Sequence, residues 1–345
     1  MFCSQPSLDQ IIDVIDQLSL GICRTEPRLI SHDKHFCYKI ETGKGLFCLK
    51  FISTRFYKNY FYASKKQTVF YFEQGDEIAK VMTQYGIPAI TMAKNIKLIA
   101  VKKNGYLILV YPFIEGNVLN RFTIEPDKVR CIAALLGQMH SIPTYLFNET
   151  ALKNKFILER TFCERIVADK SWERLSKMIL DPNLTFRLHN LNKFIENICV
   201  EVINRNIDES CLVVAHNDLQ PKNVIIDNQG SLHILDWDFA GLCNRDVNFL
   251  DTLLKWCLTL REDSFRIDIA RRDLFIASYK TFSLPIQVST KTLSLITFRW
   301  IVWLAVCARY FLENKDEKYF HSLRFAIYFL EFIKKNRQKI ISKIK

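Results

Sequence analysis

The sequence predicts an α+β chain of two lobes: a small β-rich N-terminal lobe over residues 1–111 and a larger, mainly helical C-terminal lobe over 112–345. Three observations carry this. Hairpin signals, β-rich runs joined by glycine-containing turns, concentrate before residue 112. Helical spacing of apolar residues dominates after Gly116. Pro112 and Gly116 interrupt the pattern between them. With 49% apolar residues in 345, each lobe has enough material for a core.

The elements follow in order. Leu8, Ile11, Ile12, Ile15 and Leu18 recur at helical spacing, so the chain opens with a helix over 8–20. Phe36–Ile40 and Leu46–Ile52 are β-rich and are joined by Glu41-Thr-Gly-Lys-Gly45, which predicts a hairpin. A helix over about 68–85 is closed by Gly86, with Pro88 just beyond. Ile96–Val101 and Tyr106–Tyr111 form a second hairpin around Lys102-Lys-Asn-Gly105. Val129, Ile132, Leu135, Leu136 and Met139 mark a helix ending near His140, and further helices are expected near 186–205, 246–260, 265–282, 289–312 and 317–341. The only strands expected in this half are Leu212–Ala215 and a hairpin: Val224–Asp227, the turn Asn228-Gln-Gly230, and the return Leu232–Leu235.

Composition excludes some function classes. The eleven cysteines are scattered, odd in number and contain no C-x-x-C pair, which argues against a disulfide framework or a zinc site and for a reduced, cytoplasmic compartment. Asp9, Asp13 and Asp16 near the N-terminus do not suit a signal peptide. The apolar run Trp300–Ala308, bounded by Arg299 and Arg309, is too short to span a bilayer and reads as a buried helix. The net charge of +12 favours anionic partners without naming one. Arg55–Lys66 interleaves cations with aromatics, and the reading preferred is a loop packed on the small lobe, not a nucleic-acid surface. The basic tail after Phe332 reads as a fraying helix end whose cations complement the helix dipole, with weak peripheral contact to anionic lipid as the alternative.

The chemistry sits in His216-Asn-Asp-Leu-Gln-Pro-Lys-Asn223 and Leu235-Asp-Trp-Asp238. Together they supply Asp218, Asn223 and Asp236 in order, and the hairpin between them would bring Asn223 and Asp236 side by side at its open end. Phosphoryl transfer from a magnesium nucleotide needs these groups. A carboxylate orients the attacking hydroxyl, and hard oxygen donors hold the metal against the phosphates. Asp218 is therefore expected as the catalytic base, with Asn223 and Asp236 as Mg2+ ligands. Strand alternation puts Lys50 on the face opposite Leu49 and Phe51, among apolar neighbours, where an amine needs a partner. It is expected to bind the α/β-phosphates and to pair with a helix glutamate, Glu77 in preference to Glu73. Tyr111 and Phe113, in the turn Tyr111–Gly116, are expected at an interlobe hinge where backbone groups meet the adenine edge, so that the nucleotide occupies the cleft between lobes. His216 is expected to orient the catalytic loop by hydrogen bonding.

These residues resemble the aminoglycoside phosphotransferase and choline kinase superfamily, which shares the protein-kinase-like fold. The resemblance runs over about residues 30–255 and also draws on Leu136-Gly-Gln-Met-His140. It implies that the γ-phosphoryl of ATP or GTP moves to a hydroxyl of a small molecule, amine-containing ones among the candidates, with Asp238 supporting the metal site. Ile30–Phe36, where the family places its phosphate-covering loop, has no glycine. Asn217 stands where protein kinases carry arginine, and no A-P-E signature follows, so protein phosphorylation is disfavoured. Asn244-Arg-Asp246 ahead of Trp256 resembles choline and ethanolamine kinases. A quaternary amine would need an aromatic cage, for which Trp256, Trp300 and Trp303 are candidates. An aminoglycoside would need acids such as Asp246, Asp251, Glu262 and Asp263. The alternative to an enzyme is a nucleotide-binding pseudokinase with a regulatory role.

Overall fold

The structure is a computed structural model that describes residues 5–32, 35–60, 63–93, 99–101, 106–148, 164–165, 168–177, 181–203, 211–261, 264–282, 286–315 and 317–344. The Lys102–Gly105 turn, the middle of Ile30–Phe36 (33–34), Glu262 and Asp263 lie outside the described residues. The elements in chain order are α1 (Leu8–Gln17), β1 (Arg28–His32), β2 (His35–Thr42), β3 (Gly45–Ser53), α2 (Thr54–Tyr60), α3 (Lys65–Gln84), β4 (Ile99–Val101), β5 (Tyr106–Pro112) and β6 (Gly116–Val118). There follow α4 (Pro126–Ser141), α5 (Ser171–Ser176), α6 (Pro182–Ile203), β7 (Leu212–Ala215), β8 (Val224–Asp227), β9 (Leu232–Ile234) and β10 (Gly241–Asn244). The chain closes with α7 (Arg245–Cys257), β11 (Leu258–Arg261), β12 (Ser264–Ile267), α8 (Ile269–Lys280), α9 (Thr290–Asn314) and α10 (Glu317–Ile344).

The chain forms two compact units, Met1–Val118 with Val224–Asp238, and Leu119–Asn223 with Phe239–Lys345. This division differs from the sequence expectation of 1–111 and 112–345. Residues 112–118 and the β8–β9 hairpin belong to the first unit because their backbone groups are paired there. β6 pairs β8, Ile90 N–H donates to Ile234 O (2.9 Å), and Ile234 N–H donates to Pro88 O (2.8 Å). Backbone groups must be satisfied somewhere, and that requirement overrides proximity in sequence. At Gly116 an added Cβ would lie 2.2 Å from Ile226 O, so only glycine lets these two strands approach.

The first unit is built on a five-stranded antiparallel sheet, β1-β2-β3-β5-β4. The predicted alternation holds. Leu49 and Phe51 of β3 join Tyr38, Ile40, Tyr106, Ile108 and Val110 in a core closed by Ile11, Val14 and Ile15 of α1. Each such side chain contributes about 1.5–3 kcal/mol on burial. α1 starts where Ser7 and Gln10 cap each other. The stretch expected as a packed loop is helical instead at α2, where Phe56, Tyr57 and Tyr60 all face inward. α3 has its own capping box, Ser64 with Gln67, and ends at Gly86 (φ +78°), with Ile87 N–H returning to Met82 O. At Gly75 an added Cβ would lie 2.3 Å from Trp237 O, so α3 runs directly against the backbone of the Asp236–Asp238 turn.

The second unit is mainly helical, with two short sheets, β10-β7 and β11-β12. β10 and β11-β12 are absent from the sequence expectation. The helices expected over 246–260 and 265–282 are α7 and α8, separated by the β11-β12 hairpin, and Asp268 caps α8 by accepting from Arg271 N–H. α9 is long and apolar enough to cross a membrane, yet two-thirds of its apolar stretch is buried and it packs against α5, α6, α7 and α10. It is the central helix of this unit, as the buried-helix reading of Trp300–Ala308 expects. α10 does not fray: Ile333, Ile340, Ile341 and Ile344 are buried, Lys334 Nζ donates to Asn190 O (2.7 Å), and Arg337 Nη2 donates to Ser294 Oγ (2.6 Å).

Candidate active site

In the first unit the site is organised by Lys50. β3 pairs with β2 and β5 and sets Lys50 opposite Cys37 and Leu109. Its amine lies among Tyr57, Phe72 and Tyr111, on the face away from the α1 core. It donates to Asp236 Oδ1 (2.5 Å) and Asp238 Oδ2 (2.8 Å). Burial alone would push the Lys50 amine down, but the two carboxylates outweigh it and hold its pKa well above the ordinary lysine range. Burial also raises the pKa values of Tyr57 and Tyr111, which stay neutral phenols beside the ammonium. The carboxylates are presented by a tight turn. Trp237 Nε1 donates to Ile234 O (3.0 Å), and Asp236 adopts φ +62°, a left-handed conformation that side chains other than glycine rarely take.

Two expectations are corrected here. Glu77 is not the partner of Lys50; it is 59% exposed at its side chain and pairs with Lys80 (2.8 Å). Glu73 is exposed as well. The reason is helical phase. Thr68, Phe72, Gly75, Ala79 and Met82 define the buried face of α3, and that face carries Asp76, not the glutamates. Asp76 accepts from Met92 N–H (2.6 Å) and pairs with Lys80. The apolar stripe of 68–82 held this information. The second correction concerns Phe113: its N–H already donates to Leu46 O (3.1 Å), and its ring lies under Lys39. Tyr111 sits in the β3–β5 ladder opposite Cys48.

In the second unit the site is organised by Asp218. Its Oδ1 accepts from Lys255 Nζ (2.9 Å) and Gln220 Nε2 (2.8 Å), while Oδ2 accepts from Gln220 Nε2 (2.8 Å) and Asn223 Nδ2 (3.1 Å). Burial would raise the Asp218 pKa, but the charges of Lys255 and Lys222 and the Lys255 hydrogen bond hold it well below the usual carboxylate range. The loop that carries it is braced on every side. His216 Nδ1 accepts from Asp218 N–H (3.2 Å), Trp256 Nε1 donates to Leu219 O (3.0 Å), and Arg299 Nη2 donates to Asn217 O (2.6 Å). Asn217 stands at φ +62° and donates to Phe239 O (3.0 Å). His140, with its pKa lowered to about 4 by burial, is neutral; it links Tyr279 to Asn248, which in turn reaches Asn217. Both His216 and His140 thus position the loop through hydrogen bonds.

Lys255 is the residue that motif reasoning missed. It is buried on α7 and also pairs with Asp251 (3.0 Å), which has Arg299 3.6 Å away. Its signal was a lysine among apolar neighbours four residues after Asp251, an i,i+4 pair on one helix face. Trp256 is fully buried, bonded to the Asp218 loop through Leu219 O, and cannot wall an amine cage. Trp300 is partly buried and stacks on Phe329 (4.2 Å between centroids).

The sequence pattern of choline/ethanolamine kinases matches residues 54–274, well over half of the chain. The chain belongs to the choline/ethanolamine kinase family. The family's phosphotransferases act on hydroxyl groups, and its likeness to solved structures extends across the wider superfamily. Spectinomycin phosphotransferase APH(9)-Ia, solved in complex with ADP and spectinomycin, is similar over 95% of this chain and 100% of its own (16% identity, TM-score 0.63). Choline kinase LicA from Streptococcus pneumoniae is similar over 97% and 99% (14% identity, TM-score 0.57). Ethanolamine kinase from Plasmodium vivax is similar over 92% and 82% (14% identity, TM-score 0.55). These likenesses show the kinase-like α+β fold, a β-sheet N-terminal region followed by a helical C-terminal region. No curated protein matches the chain by sequence.

Proposed function

We propose that this choline/ethanolamine kinase family member is a magnesium-dependent kinase that transfers the γ-phosphoryl of ATP, or GTP, to a hydroxyl of a small molecule. The observation that carries the reading is Asp218, a carboxylate held ionised and aimed by Gln220, Asn223 and Lys255. Its low pKa suits orientation of the acceptor hydroxyl better than early proton removal, which a loose phosphoryl transition state does not demand. Asp218 accepts the hydroxyl hydrogen and turns an oxygen lone pair toward the phosphorus, and it takes the proton late. Lys50 is the proposed phosphate ligand, since exchanging carboxylate for phosphate oxygens keeps its charge compensated.

The donor set fits magnesium. Asn223 commits its Nδ2 to Asp218, which leaves Oδ1 as the amide oxygen for a metal. Val224 pairs with Ile234, so the hairpin between Asn223 and Asp236 closes in register. Lys50, Asp236 and Asp238 sum to one negative charge (+1 − 2). One amide oxygen and one or two carboxylates, with phosphates completing the shell, is how magnesium is commonly held. Asn223 and Asp236 would hold it, with Asp238 in support; the bound ion supplies charge neutralisation on the phosphates.

The second reading, an amine acceptor such as choline or ethanolamine, is favoured by the match of residues 54–274 to the choline/ethanolamine kinase pattern. The ring of Phe325, in a cluster with Trp300 and Phe265, already carries the guanidinium of Arg121 at 4.5 Å, so that face is not open to a second cation. The experiment is transfer from labelled Mg·ATP and Mg·GTP to aminoglycosides, choline, ethanolamine, thiamine, homoserine and methylthioribose, with Asp218→Ala alongside. A labelled product lost in the variant is the expected result. Nucleotide binding without transfer to any acceptor would favour the pseudokinase instead.

A further inference from the structure

Two thiols that phosphoryl transfer leaves unused flank Lys50. β2 and β3 pair with Cys37 opposite Lys50 and with Lys39 opposite Cys48. Cross-strand partners share a face, and so do residues two apart on one strand. Cys37, Lys50 and Cys48 therefore all lie on the face away from the α1 core. Cys37 and Cys48 stand on a diagonal of the ladder, a placement whose side chains come within reach of each other. They are in contact: the Cys48 thiol donates a hydrogen bond to the Cys37 sulfur. Both are free and half-buried, so a small reagent reaches them, in contrast to the buried Cys199, Cys243, Cys257 and Cys307. The hydrogen bond from Cys48 holds the Cys37 thiol below its ordinary range against the opposing effect of burial, and the Lys50 ammonium adds to it. The same hydrogen bond and burial hold Cys48 well above that range. On β5, Tyr111 stands opposite Cys48 on the other side of β3.

We propose that Cys37 and Cys48 form a redox modification site, a thiol pair that a peroxide converts to a reversible disulfide beside Lys50. Cys37 is the attacking sulfur and Cys48 the resolving one. As a thiolate, Cys37 attacks one peroxide oxygen. The O–O bond breaks, an S–O bond forms, and the departing hydroxide takes up the proton that Cys37 gave up, leaving water. The Cys48 sulfur then attacks the Cys37 sulfur. The S–S bond forms as the S–O bond breaks, and the Cys48 proton leaves with the hydroxyl as a second water. Two thiols are oxidised and one peroxide is reduced. In reducing compartments such bonds are transient and serve catalysis or redox sensing. The bridge replaces a loose contact between sulfurs by a bond of about 2 Å, and so pulls on both strands at the rung that carries Lys50. The thiol chemistry is independent of the kinase reading; its effect on nucleotide binding rests on Lys50 as the phosphate ligand.

The test uses the full chain, reduced and then treated with hydrogen peroxide. Trypsin cuts after Lys34, Lys39, Lys44 and Lys50, so the two thiols fall on separate peptides, 35–39 and 45–50. Mass spectrometry reads the bridge as a linked pair of these peptides that dithiothreitol releases. That linked pair is the expected result. Cys48→Ser should stop at a Cys37 sulfenic acid that dimedone labels, and Cys37→Ser should leave Cys48 unlabelled. No linked pair at a dose that oxidises the exposed Cys131, linkage of either thiol to a different cysteine, or dimedone on Cys48 and not on Cys37 would each overturn the proposal. The wild-type map decides even if a variant fails to fold. Calorimetry with Mg·ATP then reads the consequence. The disulfide form should bind at least about tenfold more weakly than the reduced form, with affinity restored by dithiothreitol and with Cys37→Ser unaffected by peroxide. Equal binding by the two forms, where Lys50→Met abolishes binding by the reduced protein, overturns the effect on nucleotide. Reduced protein that binds no nucleotide strikes at the kinase reading alone, and the peptide map still decides the thiol pair.

Discussion

Each unit buries one lysine between two aspartates, and the two clusters differ in what balances them. In the first, Lys50 stands between Asp236 and Asp238, leaving one net negative charge. In the second, Lys255 stands between Asp218 and Asp251, and Arg299 beside Asp251 and the charge of Lys222 acting on Asp218 leave no net negative charge. Breaking a buried pair costs more than forming it gains, because the remaining charge is stranded. A negative cluster is suited to taking up a cation, whereas one without net negative charge is suited to holding its carboxylate in a fixed orientation. In the function proposed above, the same building unit would serve metal uptake in one place and hydroxyl orientation in the other, with added cations making the difference.

The largest effect is expected at Asp218. Asp218→Asn should lower kcat by about 10²–10⁴-fold, the range typical of a lost acid–base group, with nucleotide affinity retained; turnover near wild type would break the assignment of the second cluster. Lys255→Met should follow, since it strands Asp218 and Asp251 together. A loss of about 3–5 kcal/mol is expected in denaturant unfolding, and the acid limb of the rate profile should move to higher pH. The sign follows from Asp218. Its folded-state pKa lies below the ordinary 3.8, so the stability it contributes is present above pH 3.8 and is lost as pH falls through the folded value. Lys255→Met should shorten that window from the acid side, and an unchanged acid limb would detach Lys255 from Asp218.

Asp236→Asn tests the first cluster. It removes the net negative charge and should raise the magnesium needed for half-maximal activity by about 10–100-fold, read by titration of the metal at fixed nucleotide. An unshifted requirement would place the metal elsewhere. The smallest effect is expected at Glu77. Glu77→Gln removes only an exposed pair with Lys80, and both stability and nucleotide affinity should change by less than about 0.5 kcal/mol. A large loss of nucleotide affinity would restore Glu77 as the partner of Lys50 and undo the comparison.

Much of this was legible because it is local. The β8–β9 hairpin follows from a β-rich run, an Asn-Gln-Gly turn and a second run; the burial of Leu49 and Phe51 opposite Lys50 follows from strand alternation. α10 was misread at its end because basic residues were counted and the isoleucines between them were not. The β11–β12 hairpin was hidden between two helical patterns that run almost to its edges.

By itself, then, the sequence determined the order of Asp218, Asn223 and Asp236, the strand that carries Lys50, and the helical character of the second half, since all depend on spacing within a few residues. Only the tertiary structure decided that Lys50 pairs with carboxylates 186 and 188 positions away, that Lys255 reaches back 37 positions to Asp218, and that Arg121 lies over Phe325. The physical reason is that periodicity specifies which face a side chain occupies, while the partner it meets there depends on how distant backbones pack to satisfy their own hydrogen bonds and bury their own apolar faces.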